Sequence, residues 1–261
     1  MADPSTEELQ IFAEQLAGLS GEVARRYFRT PVDVDQKPDA SPVTVADREI
    51  ESILRERIEA AFPAHGILGE EFGTVRGEAR YVWVLDPIDG TKAFITGKPL
   101  FGTLIGLLEE QKPLLGLIDQ PILNERWVGI RGRKTYFNGR PVKTRACPDI
   151  GLAAMYSTAP GMFEGKDAET YARLKQRVRY PMFGTDCYGY GLLALGFADL
   201  VVEAQLKTHD FFPIVPIVEG AGGRMTDWQG KPLGPNSDGH VLAAGDPALH
   251  AAALAILNGH T

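Results

Sequence analysis

Residues 85–91 read Leu85-Asp86-Pro87-Ile88-Asp89-Gly90-Thr91 and follow the apolar run Tyr81-Val82-Trp83-Val84. Pro87 and Gly90 force the backbone to turn where a buried strand ends. Two aspartates on one tight turn can face a single hard cation, and the Ile88 carbonyl offers a third oxygen, the donor type that magnesium prefers. Gly90 permits close backbone approach, and Gly90-Thr91 leads toward a helix whose N–H groups suit phosphate. The competing reading is an Asp-Pro turn and an Asp-Gly turn on the surface; the preceding apolar strand favours the metal. A metal on such a turn points to an enzyme that works on phosphate.

Other acidic positions gain meaning beside this turn. Glu70-Glu71 follows the short strand 67–69. Alone it reads as a solvated acidic pair; with the aspartates it is a candidate third ligand position. Asp210, in Thr208-His209-Asp210, precedes the apolar segment 211–218. It suits a helix N-cap, and a capping aspartate can also face a metal. His209 reads as a structural residue or pocket wall, because hard metals favour oxygen. Lys37, in the loop before Asp47, either screens phosphate or metal charge or is simply solvated.

The elements that must hold these residues follow from periodicity and caps. Ser5-x-x-Glu8 opens a helix carrying Leu9, Phe12, Leu16, Leu19, Val23 and Tyr27, with Pro31 past its end. Residues 33–41 read as a loop. Thr44-x-x-Asp47 opens a second helix with Ile50, Leu54, Ile58 and Phe62 on one face, stopped by Pro63. Strands are expected at 81–85, 102–108, 114–118, 126–131 and 135–137, with a turn at Asn138-Gly139. Helices at 168–177, 188–197 and 211–220 and strands at 198–204 and 241–244 follow. Asp246-Pro247 caps a last helix through 257. Pro213 is tolerable in a first turn of 211–220, whereas Pro216 is awkward there. The pattern predicts an N-terminal α+β half, 1–145, on a mostly antiparallel sheet, and a C-terminal α/β half, 146–261.

Composition sets outer bounds. The 261 residues are 44% hydrophobic and 23% charged, enough for one large domain or two modest ones. A net charge of -7 and no basic tract argue against bulk nucleic-acid or anionic-membrane binding. No run of about 18 apolar residues suggests a transmembrane helix. The acidic, polar N-terminus is unlike a signal peptide. Cys147 and Cys187 are too few for a disulfide framework or zinc cluster, and cytoplasmic thiols are expected.

The motifs, taken in order, resemble the inositol monophosphatase family of magnesium-dependent, lithium-sensitive phosphatases. Its first signature is matched by Val82 to Thr91, its second by Asp210 with Glu219-Gly220-Ala221-Gly222-Gly223. Thr44-Val45-Ala46-Asp47 and Gly69-Glu70-Glu71 fall in the expected order before them, and the resemblance runs from about residue 8 to the last helix. It implies a layered αβαβα sandwich of the sugar-phosphatase type and a homodimer. It also implies that Glu70, Asp86, the Ile88 carbonyl, Asp89 and Asp210 hold two or three Mg2+ ions. Asp47 and Thr91 would orient and deprotonate the attacking water, with Glu70 assisting, and the Gly90 and Thr91 amides would bind phosphate. Where the family often has an aromatic residue before the second-signature aspartate, this chain has His209.

Within the family, the segments 94–106 and 184–190 look most like histidinol-phosphate phosphatases; inositol-specific members usually have a small apolar residue where this chain has Asp186. An aspartate near the leaving group would attract a cationic alcohol more than neutral inositol. Glu203 matches the family position that contacts the alcohol, and Asp89 and Asp210 would also face the substrate. Competing readings make Asp186 a helix N-cap and Glu203 an exposed strand residue. The resulting expectation is a histidinol-phosphate phosphatase of histidine biosynthesis. A broader inositol-1-phosphate or sugar-phosphate phosphatase is its rival, and a non-catalytic metal- or phosphate-binding protein stands as the alternative from another class.

Overall fold

The structure, a computed structural model, describes residues 4–31, 34–36 and 42–260. Helix α1 (Thr6–Tyr27) begins where Ser5 and Glu8 cap each other's backbone N–H groups. β1 (Val34–Gln36) and β2 (Pro42–Thr44) then pair antiparallel, so the expected 33–41 loop is in part a strand. Lys37 lies outside the described residues. α2 (Val45–Ala61) starts on a second reciprocal cap, Thr44 with Asp47.

β3 (Gly66–Gly69), β4 (Gly73–Val75), β5 (Tyr81–Asp89), α3 (Thr91–Ile95), β6 (Gly102–Glu109), β7 (Lys112–Gln120), β8 (Glu125–Ile130), β9 (Tyr136–Phe137) and β10 (Arg140–Pro141) follow. Their strands form an eight-stranded sheet, β10-β9-β8-β7-β6-β5-β3-β4, antiparallel except between β3 and β5. Next come β11 (Ala154–Ser157), α4 (Lys166–Lys175), β12 (Tyr180–Phe183), α5 (Tyr188–Ala194), β13 (Leu200–Glu203), α6 (Thr208–Phe211), α7 (Val215–Gly220), β14 (Arg224–Thr226), β15 (Val241–Ala244) and α8 (Pro247–Leu257). The second sheet, β12-β11-β13-β15-β14, is mixed: β11 runs parallel to β12 and β13, and β15 antiparallel to β13 and β14.

Alternation along the strands builds the layers. On β5, Trp83 and Leu85 face the core under α1 and α2, while Val82 and Val84 face a second core shared with α5, α6 and α7. That second core also takes Val201 and Ala243 from the smaller sheet. The other face of the smaller sheet, through Leu200, Val202 and Leu242, packs on α4 and α8. The order is therefore helix, sheet, helix, sheet, helix: the expected αβαβα sandwich. Strands buried on both faces read as continuous apolar runs, and 81–85 of β5 is such a run. Among the described residues no helix is long and apolar enough to cross a membrane.

The expected single helix at 211–220 is two helices, broken between Phe211 and Val215. Pro213 sits in the break, and Pro216 is accommodated in the first turn of α7. The break packs hard against the larger sheet: a Cβ on Gly116 of β7 would lie 1.7 Å from the Pro213 carbonyl oxygen. Only a residue without a side chain lets these backbones meet.

His250 on α8 is buried, its Nε2 2.9 Å from Thr226 Oγ1 on β14. Burial, reinforced by Arg224, pushes its pKa down to about 4. An unfolded histidine takes a proton near pH 6.5, so this group's contribution is complete above that pH and is lost as pH falls toward 4. The full loss is ~3 kcal/mol. Urea unfolding at pH 7 and at pH 4.5 should give a smaller stability difference in His250→Gln than in the parent. Equal differences would show that another group sets the acid limb.

Candidate active site

In a regular strand, residues three apart project to opposite faces. β5 departs from this: Asp86 lies opposite Leu104 and Asp89 opposite Gly102 on β6, one residue too many on β5. The bulge at Pro87-Ile88 brings both aspartates to one side. Gly90 then turns the chain at φ 83°, ψ 40°, a left-handed conformation. A Cβ there would also stand 2.9 Å from Asp186 Cγ. Thr91 opens α3, and its Oγ1 donates to the Ile88 carbonyl at 3.1 Å. That carbonyl keeps a second lone pair for another partner.

Carboxylate oxygens of Asp86, Asp89 and Asp210 lie within 4.8 Å of one another; Glu70, Asp86 and a ring nitrogen of His209 form a second group as tight. Asp86 belongs to both, and its buried Oδ1 has no hydrogen-bond partner. Burial, then the charges of Glu70, Asp89 and Asp210, hold the Asp86 carboxyl well above the usual range. Burial and the nearby Asp186 and Asp210 do the same to Asp89. Burial also raises Asp210, with His209 opposing. Acids this close resist ionising together unless a cation compensates them. Converging oxygens from β5, the turn after β3 and α6 fit a divalent metal, and the partnerless Asp86 oxygen is the clearest sign of it.

Two sequence readings change here. Asp210 is not the cap of α6; it is the third residue, and its Oδ2 accepts the Lys207 N–H at 2.7 Å. His209 is not merely a wall, since its ring joins a potential ligand group.

Asp47 comes from the first turn of α2. Its Oδ2 accepts from the Thr44 N–H at 2.8 Å and the Thr44 hydroxyl at 2.5 Å, while its buried Oδ1 has no partner. Burial raises its pKa to about 6; the Thr44 bonds oppose this, and Glu71 and Glu70 add to it. Asp47 and Thr91 are not hydrogen-bonded to each other: Thr44 holds one, Ile88 the other. One turn after Asp47, the fully buried Glu51 accepts the N–H groups of Glu71 and Phe72 at 2.7 and 3.1 Å and pairs with Arg55. Glu51 thereby fixes the turn that presents Glu70. Only its helical i,i+4 spacing from Asp47 hinted at this. Glu51→Gln should weaken divalent-ion binding by about 10–100-fold, as loss of an outer supporting group does, with the circular-dichroism spectrum unchanged. Unaltered affinity in calorimetric titration would mean the turn is held by other contacts.

The C-terminal residues close the site. The Cys187 N–H donates to Asp89 Oδ2 at 2.6 Å across 98 residues of chain. Asp186 adopts φ 45° and does not cap α5, whose cap position is Cys187 without a side-chain bond. Burial pushes the Asp186 carboxyl up to about 6, opposed by Lys98 and Lys92. Lys98 donates to the Gly184 carbonyl of the same loop. Glu203 is not exposed either. It is buried, with Oε1 accepting the Thr158 N–H and hydroxyl and Oε2 the Tyr190 hydroxyl at 2.7 Å. Burial pushes it up to about 7. Asp89, Asp186, Glu203 and Asp210 line one cavity of about 100 Å³ with Thr158 and Tyr190, and none of its lining side chains is basic. A larger groove along α1 and β8 shares no lining residue with this cavity; its Asp119 pairs with Arg126.

The sequence profile of the inositol monophosphatase family matches residues 5–261. The chain belongs to this family. It is 48% identical over 269 residues to the bifunctional phosphatase IMPL2, chloroplastic, of Arabidopsis thaliana, covering 100% of this chain and 78% of that protein. It is 35% identical over 240 residues to a histidinol-phosphatase of Chlorobaculum parvum, covering 91% and 92%. Among solved structures, an inositol monophosphatase from Zymomonas mobilis aligns with a TM-score of 0.90 at 47% identity, covering 98% of this chain and 100% of that one. As an inositol monophosphatase family member the chain is a phosphatase acting on phosphoric monoesters, and its acidic groups can hold a metal. The names of these relatives divide over the alcohol.

Proposed function

We propose that this family member is a Mg2+-dependent histidinol-phosphate phosphatase, hydrolysing histidinol phosphate to histidinol and phosphate. The observation that carries the substrate is the cavity in which two carboxylates outside the metal cluster, Asp186 and Glu203, stand with no basic side chain in the lining. Histidinol carries an ammonium group and a protonatable imidazole, whereas inositol is neutral, so only the former gains from that field. A cation beside Glu203 would favour its charged form and lower its raised pKa. Asp186, part-compensated by lysines, would be the second contact. The histidinol-phosphatase relatives support this reading. The Zymomonas mobilis structure and the word bifunctional in the Arabidopsis name favour the rival, an inositol-1-phosphate or broader sugar-phosphate phosphatase.

Glu70, Asp86, the Ile88 carbonyl, Asp89 and Asp210 would hold two or three magnesium ions. Bound there, magnesium would neutralise phosphate charge and acidify water. Asp47, whose inner oxygen has no partner, accepts the proton of the attacking water, with Glu70 assisting. Thr91 is steadied by the Ile88 carbonyl, and its amide and that of Gly90 bind phosphate. Residues 1–145 would thus supply metal and phosphate chemistry, and residues 146–261 the alcohol pocket and last ligand. Exposed Leu152, Tyr180 and Phe197 at one end of the smaller sheet offer an apolar face for the expected homodimer. Two free, buried thiols accord with a cytoplasmic setting; a plastid is the competing location.

A panel of phosphate esters with and without magnesium tests the proposal. kcat/KM should be highest for histidinol phosphate. Asp186→Ala should lower it there about tenfold more than on inositol 1-phosphate, the equivalent of ~1.4 kcal/mol. Equal or better turnover of inositol 1-phosphate by the parent would overturn the substrate. No phosphate release from any ester would leave a metal- or phosphate-binding protein without turnover.

A further inference from the structure

The two candidate ligand groups differ in chemistry. Asp86, Asp89 and Asp210 offer oxygen alone, whereas Glu70 and Asp86 are joined by a ring nitrogen of His209. His209 is 8% exposed, and Asp210 Oδ1 lies 3.4 Å from its Nε2. Asp86, 2% exposed and common to both groups, keeps Oδ1 without a hydrogen-bond donor, as an oxygen meant for a cation does. Among the described residues His209 is the only histidine in either group.

We propose that His209 gives an imidazole nitrogen to a divalent ion held with Glu70 and Asp86, so that this half of the site takes manganese, cobalt or zinc in preference to magnesium. The proposal rests on Glu70 and Asp86 being metal ligands, replaces magnesium by a transition ion at that one position of the proposed set, and is independent of the substrate. Magnesium demands hard oxygen donors and keeps its waters. Imidazole suits borderline ions, whose affinity rises along the first transition row. The adjoining all-oxygen group keeps its fit to magnesium, so the two positions would load with different metals.

Pulsed electron paramagnetic resonance of the manganese(II)-loaded whole chain tests this. A coordinated imidazole should give nitrogen modulation that changes when the protein is grown on heavy-nitrogen histidine. The modulation should vanish in His209→Phe. Calorimetry should show manganese binding weakened by about tenfold or more in that variant, the scale on which losing even an outer-shell partner registers, and magnesium binding altered far less. Should His209→Phe fail to fold, the labelled parent protein still decides the matter. Bound manganese without imidazole modulation overturns the proposal. Imidazole modulation in a protein that releases phosphate from no ester would sink the proposed function and leave the His209 assignment standing. Failure to bind manganese at all would remove the ligand reading with it.

Discussion

Asp89→Asn will lower kcat on every phosphate ester by on the order of 10³-fold, as loss of a charge-stabilising group at a reacting centre does. The variant will nonetheless fold, and without divalent ions it will melt at a higher temperature than the parent. Asparagine keeps an oxygen for the Cys187 N–H, so the turn retains its tie to the C-terminal half. What it removes is a buried charge crowded by Asp186 and Asp210. The sign follows from linkage. The folded carboxyl sits above its unfolded pKa, so ionising it opposes folding at neutral pH, and that penalty fades as pH falls. Thermal scans in chelator at pH 7.5 and pH 5 should therefore separate the two proteins more at the higher pH. Retained turnover would take Asp89 out of the site. A lower metal-free midpoint would contradict the crowding.

Asp47→Asn should lower kcat by about 10²–10⁴-fold, the usual worth of a general base. The parent should lose kcat/KM as pH drops through about 6, because the base is then protonated. Cations held by neighbouring acids favour the ionised carboxylate and would move that limb lower, so about 6 is its upper bound. The limb should be absent from the residual rate of Asp47→Asn. Thr44 can still bond the asparagine oxygen, and losing a carboxyl that burial holds above its usual range should leave the metal-free fold at least as stable near neutral pH. An acid limb of the same shape in the variant would assign it to another group.

Much of the frame was legible because local signals suffice for it. The reciprocal caps at Ser5–Glu8 and Thr44–Asp47 announce α1 and α2, and two-faced burial makes β5 a continuous apolar run. β14, by contrast, is three residues whose partner β15 lies well downstream, and β12 is short and interrupted by Pro181. Such strands exist only through their pairings. The bulge that aligns Asp86 with Asp89 is likewise a property of β5 against β6, invisible in the motif itself. The family resemblance groups Glu70, Asp86, Asp89 and Asp210, and the fold brings their carboxylates close together around Asp86. Burial and neighbours were not legible: Glu203 reads as an ordinary strand glutamate, and Glu51 as an ordinary helical one. For His209, hard-metal preference was a sound rule about donors, but it says nothing about which side chains the fold brings near.

The hydrogen bond from Cys187 to Asp89 also gives the site a schedule. A ribosome adds roughly 5–20 residues per second, so 98 residues separate the two partners by about 5–20 s of synthesis. Through that interval the Asp86–Asp89 turn has emerged without the loop that steadies it or the Asp210 that completes its oxygen cluster. A nascent chain would therefore meet cellular metal with an unfinished set of the proposed donors. The oxygen cluster is complete only once residue 210 is made, just over four-fifths of the way along the 261 residues. On the proposed ligand set, metal capture would be a late event in the life of each molecule, and a chain that stops before residue 210 would lack the last of the clustered oxygens.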